Sequence, residues 1–203
     1  MNLFDRARRA EMWSRMRDEI RDCEKCVLCE SRTRAVLHRG NKDATWCFLA
    51  EAPGEDEDLQ GRVFVGASGK LFDKYIEDSK IPKGDWIAVN TLCCRPPKNK
   101  YPKWEVASVC IQRYLWLKLD LIQPTILVLI GRHAASYMLG VSKISQAAGN
   151  MYAPDKLRWP APYLKAVFAT YHPAYALRQP TAIGIIRSHM RFFVNYSKRQ
   201  GWV

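Results

Sequence analysis

No apolar run in the 203 residues approaches the roughly 20 needed to cross a bilayer. The opening MNLFDRARRAEMW likewise has no continuous apolar stretch behind its charges. A membrane partner and a secretory leader are therefore not expected, and the reading is an intracellular protein, cytoplasmic or nucleoid-associated. Internal repeats and low-complexity linkers are missing too, which argues against a solenoid or an array. One compact domain over 1–203 is expected, a monomer, with a helix over 1–22 packed on it; 48% hydrophobic content is enough to build its core. Acidic side chains are in short supply, 20 Asp and Glu against 32 Lys and Arg. The resulting net charge of +12 favours a polyanionic partner, nucleic acid foremost. An even disulfide framework is lacking as well: seven cysteines in a reducing compartment are ligands, nucleophiles or small core residues.

Four of the seven, Cys23, Cys26, Cys94 and Cys110, form a CxxC followed much later by a pair. Thiolates are soft ligands, and a CxxC turn supplies two of them from one loop. Zinc, an iron-sulfur cluster and an inert core all remain open on spacing alone. The scarce acids are unevenly placed, with Glu51, Glu55, Asp56, Glu57 and Asp58 crowded into one short loop. Such a loop does something other than hold a phosphate backbone, although Asp56 and Asp58 also suit capping or solvated positions.

Helical and strand patterns alternate. Residues 5–21, 69–78, 102–121, 132–139 and 181–198 read as helices, with Ser68 capping the second and Cys110 inside the third. TWCFLAE, DWIAVNT, TILVLI and the stretch 165–170 read as strands, and 149–164 as irregular. Strands separated by helices imply a three-layer α/β/α sandwich around a central, mostly parallel, four-stranded sheet. Ligands of such sheets bind beyond the carboxyl ends of the strands. Those ends carry Glu51-Ala52-Pro53-Gly54, Asn90 and Tyr171-His172-Pro173, which should converge on one cleft.

EAPGEDEDLQGRVFVGASGKL, NTLCCRPPKNKYPKWEVASVC and YHPAYALR, in that order, resemble the family 4 uracil-DNA glycosylases, over about residues 20–190. The resemblance implies a 4Fe-4S cluster held by Cys23, Cys26, Cys94 and Cys110, leaving Cys29, Cys47 and Cys93 outside the pattern. It implies that Glu51 supports the site, that Ala52 lies beside the attacking water, and that Glu57 and Gly54 flank the base, Glu57 near the place of a thymine methyl. HPAYALR resembles the family loop that enters the duplex where the base has left. Ala174, Tyr175 and Leu177 would wedge there, and Arg178, Arg95 and Lys98 would meet DNA. Ala50 and Val63 depart from the usual glycine and proline of the pattern.

The residues also make sense of that chemistry directly. Uracil in a duplex must be flipped out to be reached, and Phe64, in the Gly-bracketed GRVFVG, offers a stacking face. The amide of Asn90 pairs with uracil O4 and N3–H, whereas cytosine would set donor against donor and acceptor against acceptor. His172 is placed to hydrogen-bond O2 as the leaving base turns anionic. The expected activity is hydrolysis of the uracil N-glycosidic bond in single- or double-stranded DNA, leaving an abasic site. Two rivals are a non-catalytic modified-base binder on the same fold and a zinc-stabilised protein-interaction domain.

Overall fold

The computed structural model describes residues 3–159 and 161–203; the first two positions of the helix expected over 1–22 lie outside them. Helix α1 (Leu3–Arg21) is followed by strand β1 (Arg39–Gly40), β2 (Trp46–Ala50), helices α2 (Glu55–Gln60) and α3 (Ala67–Asp78), and β3 (Trp86–Asn90). Next come α4 (Trp104–Cys110) and α5 (Trp116–Ile122), β4 (Ile126–Ile130), α6 (Arg132–Leu139), β5 (Met151–Tyr152), β6 (Ala166–Thr170), α7 (Pro173–Arg178) and α8 (Ala182–Arg199). None of the helices described is long and apolar enough to cross a membrane.

The sheet has six strands in the order β1-β3-β2-β4-β6-β5. Its centre is the expected parallel group of four, β3-β2-β4-β6. Two antiparallel edge strands, of two residues each, extend it beyond the four expected. Segments as short as Arg-Gly and Met-Tyr show no alternation, so pattern reading passes over them. Every residue of WCFLA, ILVLI and AVFAT is buried, as parallel strands covered on both faces require. Alternate side chains serve opposite cores. Cys47, Leu49, Ile87, Val89, Leu127 and Leu129 pack under α1, α4, α5 and α6. Trp46, Phe48, Ala88, Val128 and Phe168 pack under α3, α7 and α8.

Strand β2 leads toward α3 on one face, and β4 leads into α6 on the other. Their neighbouring ends therefore open a crevice between diverging chains, the place where α/β sheets hold ligands.

Local details differ from the sequence reading in ways with clear causes. The N-cap of α3 is Gly66, and Ser68 sits within the helix. The single helix expected over 102–121 begins at Trp104 and is interrupted by a wide π turn over Ile111–Leu115, starting one residue past Cys110. The acidic loop is helical from Glu55 because carboxylates in a first turn suit the positive end of a helix. HPAYALR likewise forms α7, started by Pro173 at its first position.

Candidate active site

A cleft of about 940 Å³ lies beyond the carboxyl ends of the parallel strands. It gathers Glu51, Ala52 and Gly54 from the end of β2, Asn90 from β3, Gly131 and His133 after β4, and His172, Ala174, Tyr175 and Arg178 from the β6–α7 segment. Glu57 and Phe64 complete the wall. Of the residues expected at the site, Arg95, Lys98 and Leu177 do not line it. Arg95 is tied to Glu55 at 3.4 Å and to Asn99 at 2.8 Å. Leu177 and Tyr175 are exposed on α7, and Lys98 is exposed on its loop.

Phe64 is held with unusual force for a loop residue. Its backbone has φ +55°, its carbonyl accepts a bond from Arg39, and its ring stacks on Phe72 at 4.4 Å. Arg39 is itself clamped by both carboxylate oxygens of Asp73, at 2.8 and 2.9 Å. A Cβ on Gly69 would run into the Phe64 backbone, so this glycine lets the loop rest on α3. One ring face is used by Phe72, and His172 lies 5.6 Å away toward the cleft.

Glu57 braces the same wall. One oxygen accepts from the Val65 and Gly66 amides, both at 2.9 Å, and the other from Gly54 at 3.1 Å. Both its oxygens are thus committed to main chain, which joins the β2 end to the Phe64 loop. Asp58, expected to be capping or solvated, is instead buried and receives the amides of Thr33 and Arg34. A carboxylate that satisfies several main-chain donors at once tolerates burial.

Asn90 is buried at the strand end, lines the cleft, and has no side-chain partner among the described residues. Its amide atoms are not sealed off but open onto the cleft, where a ligand can complete them. His172 N-caps α7: its Nδ1 accepts the Ala174 amide at 3.1 Å. An accepting Nδ1 carries no proton, so the ring presents Nε2–H. Burial, helped by the Arg178 charge, pushes its pKa down to about 4, and the imidazole is neutral at physiological pH.

Glu51 reaches across the crevice to accept the His133 amide at 3.1 Å. Burial pushes its pKa up, against the opposing pull of the His133 and Arg132 amides. Its own carbonyl receives the Thr91 hydroxyl, which lies 2.7 Å from Tyr101 Oη. Tyr101 stacks face to face on His133 at 3.7 Å. Sequence reading missed Thr91, Tyr101 and His133; only the position of His133 at the start of a helix after a strand could have pointed to it.

Gly131 joins these parts. Its φ of +93° and ψ of 177° suit glycine alone, and a Cβ there would press on the Glu51 carboxylate and on His172 Cβ at 3.2 Å. Gly131→Ala should cost about 1–3 kcal/mol of stability in denaturant melts. It should also lower activity further than this loss of stability accounts for, because the two side chains it displaces both face the cleft.

The histidines set an acid limb for stability. His38, His133 and His172 are each pushed to about 4, chiefly by burial, and His189 is lowered for the same reason. Unfolded histidines bind protons below about 6.5, so the unfolded state holds more protons between about 6.5 and 4. Stability is then full above about 6.5 and falls as the pH drops toward 4. Glu51 opposes this trend, being one group against four. Thermal melts across this range should show the midpoint falling with pH.

The four expected metal ligands come from three places: the loop after α1, the end of β3, and the last turn of α4. Cys94 and Cys110 are buried and Cys23 and Cys26 half-buried, all against one core. Arg32 links two of their segments, donating to the Cys23 carbonyl at 2.6 Å and to Cys94 Sγ at 3.3 Å. The Cys93 amide donates to Cys110 Sγ at 3.4 Å. Among the described residues, no three His, Cys, Asp or Glu side chains are set at the spacing of a single metal ion. Four thiols against one core, two of them met by N–H donors, are soft ligands of the kind that zinc and iron-sulfur groups both take. Burial pushes Cys94 up to about 11 and raises Cys26, so binding a metal there must displace protons. Beside this set, Lys118 is fully buried, 3.0 Å from Cys93 Sγ.

A parallel sheet covered on both faces, with Phe64, Asn90 and a neutral His172 gathered beyond its strand ends, is an α/β protein with a ligand-sized cleft. Residues 37–196 match the family model of the uracil DNA glycosylase superfamily. A type-4 uracil-DNA glycosylase of Saccharolobus solfataricus is 35% identical over 180 residues, covering 86% of this chain and 81% of the relative. One from Archaeoglobus fulgidus is 38% identical over 167 residues, covering 80% and 81%, and one from Thermotoga maritima 33% over 174 residues, covering 84% and 85%. The chain belongs to the uracil DNA glycosylase superfamily, in its type-4 branch.

Proposed function

We propose that this protein is a DNA-repair hydrolase that excises uracil, leaving an abasic site. The observation that carries the reading is the meeting of Phe64, Asn90 and the Nε2–H of His172 in one cleft. An extruded uracil would stack on Phe64 and complete the partnerless amide of Asn90 through O4 and N3–H. As the glycosidic bond breaks, positive charge grows on the sugar and negative charge on the base. The His172 Nε2–H is aimed to stabilise O2 of the departing anion without first losing or gaining a proton. Glu51, anchored by main-chain amides, supports the sugar side, and Ala52 leaves room for water beside it. Glu57 and Gly54 shape the wall at the base's C5 edge. Ala174, Tyr175 and Leu177 on α7 form the wedge, with Arg178, Arg95 and Lys98 toward phosphate.

Cys23, Cys26, Cys94 and Cys110 would hold one 4Fe-4S cluster. When bound, it would supply a brace joining the post-α1 loop, the Cys94–Lys100 loop and α4, and no electrons for the reaction. One sheet shared by both cores supports a single domain, whose expected partner is uracil-containing DNA and whose expected state is a monomer inside the cell.

Matched oligonucleotides carrying one uracil, thymine or cytosine test the selectivity. The wild type should release only uracil. Asn90→Ala should slow uracil release by at least a hundredfold, because the buried pairing is lost. Equal release of cytosine by the wild type would contradict the role of Asn90.

A further inference from the structure

A second cavity, of about 910 Å³, lies against the edge strand β1. It is walled by the last turns of α1, by residues 29–40 and by Gly61 and Arg62. The segment 61–64 is a party wall: Gly61 and Arg62 face this cavity, whereas Val63 and Phe64 face the catalytic cleft. Six arginines line it, Arg17, Arg21, Arg32, Arg34, Arg39 and Arg62, and among the described residues no carboxylate does.

Four of these guanidiniums are already engaged. Arg17 and Arg21 pair with Asp18 and Asp22, and Arg39 with Asp73. Arg32 donates to main chain and to Cys94. The side chains of Arg34 and Arg62 are exposed and have no hydrogen-bond or ion-pair partner among the described residues. The Arg34 side chain passes Gly61, its Cδ 3.7 Å from where a Cβ would stand, and Arg62 is the next residue along that wall. Two unpaired guanidiniums lining one cavity favour an anion there, and arginine's planar fork matches phosphate oxygens.

We propose that this cavity is a second nucleic-acid site, in which Arg34 and Arg62 hold backbone phosphates of the DNA strand as it runs on past the Gly61–Phe64 wall from the cleft. The site rests on the reading of the cleft as the place where DNA is opened. A free nucleotide fits less well, because no Phe, Tyr or Trp lines the cavity to stack a base. An open cavity of this size is also far larger than one phosphate. The half-buried His38 on this wall is pushed down chiefly by burial, with smaller contributions from Lys118, Lys42 and Arg62.

The test measures binding of a long single strand without uracil to the full, cluster-loaded protein, at a series of salt concentrations. Arg34→Ala/Arg62→Ala should make the plot of log affinity against log salt shallower by about 1 to 1.5, since each single-strand phosphate contact contributes about 0.7. Affinity at moderate salt should fall about tenfold. A control pair at the other end of the sheet, Lys83→Ala/Lys165→Ala, should leave the slope as it is. Neither arginine side chain bonds to the protein, so the thermal midpoint of the variant should match the wild type. An unchanged slope, or an equal change in the lysine control, would overturn the proposal. So would binding of inorganic tripolyphosphate that the arginine variant abolishes while the DNA slope stays put, since that would assign a free polyphosphate. Because the strand holds no uracil, a wild type that failed to excise would count against the glycosylase reading and leave this slope measurement standing.

Discussion

Replacing His172 with alanine should slow uracil excision about a hundred- to a thousandfold, the usual effect of removing one hydrogen-bond donor from a developing anion. The visible absorbance of a cluster held by Cys23, Cys26, Cys94 and Cys110 should be unaffected, because none of these cysteines lines the cleft that holds His172. A modest loss of stability, about 1 kcal/mol, should accompany the change as α7 loses its cap from Nδ1. The pH profile separates two chemistries that the same loss of rate would not. A neutral imidazole pushed down to about 4 acts unchanged from pH 5 to 9, and the rate should be flat there. An imidazolium acid would instead give a rate that falls as the pH rises through 6 to 7. Ala174's amide is what decides between them, since it occupies the nitrogen that protonation would need.

Replacing Cys110 with alanine should have the largest effect on the fold. Its sulfur lies at the end of α4, one residue before the π turn, and receives the Cys93 amide. Where a metal group closes distant segments, its binding free energy is folding free energy. Cys110→Ala should therefore lose the brown colour and cooperative unfolding together, with little soluble protein recovered. Cys29→Ala, at a position outside the ligand set, should keep both. If Cys110→Ala kept full absorbance per chain, the assignment of this ligand would fail. Arg32 sets one cation against Cys94 Sγ, which partly offsets the burial that raises this thiol, and Lys118 sets another against Cys93 beside the set.

Much of this was legible before any coordinates. Four parallel strands were visible because burial on both faces makes their sequences continuously apolar, and the strand-end rule then brought Glu51, Asn90 and His172 together. What stayed hidden depended on side chains meeting across the fold. Glu57 lines the cleft, but nothing in its loop showed that its two oxygens serve three amides up to nine positions away. Asp58 looked solvated because its partners, Thr33 and Arg34, are about 25 positions earlier in the chain. The stack of Tyr101 on His133 joins a loop to the first turn of α6, with no shared pattern between them. Lys118 gave no sign at all, since a lysine in an amphipathic helix is ordinarily taken as exposed. The charge of His172 was equally unreadable, being set by its burial in the folded cleft and by the Arg178 charge.

The most direct measurement is incubation of the cluster-loaded protein with single-stranded and duplex oligonucleotides bearing one uracil, followed by alkali and by chromatography of the released base. The expected result is a strand break at the uracil and free uracil in matching amount. Intact strands in every uracil context, from protein that keeps its iron-sulfur absorbance, would contradict the account.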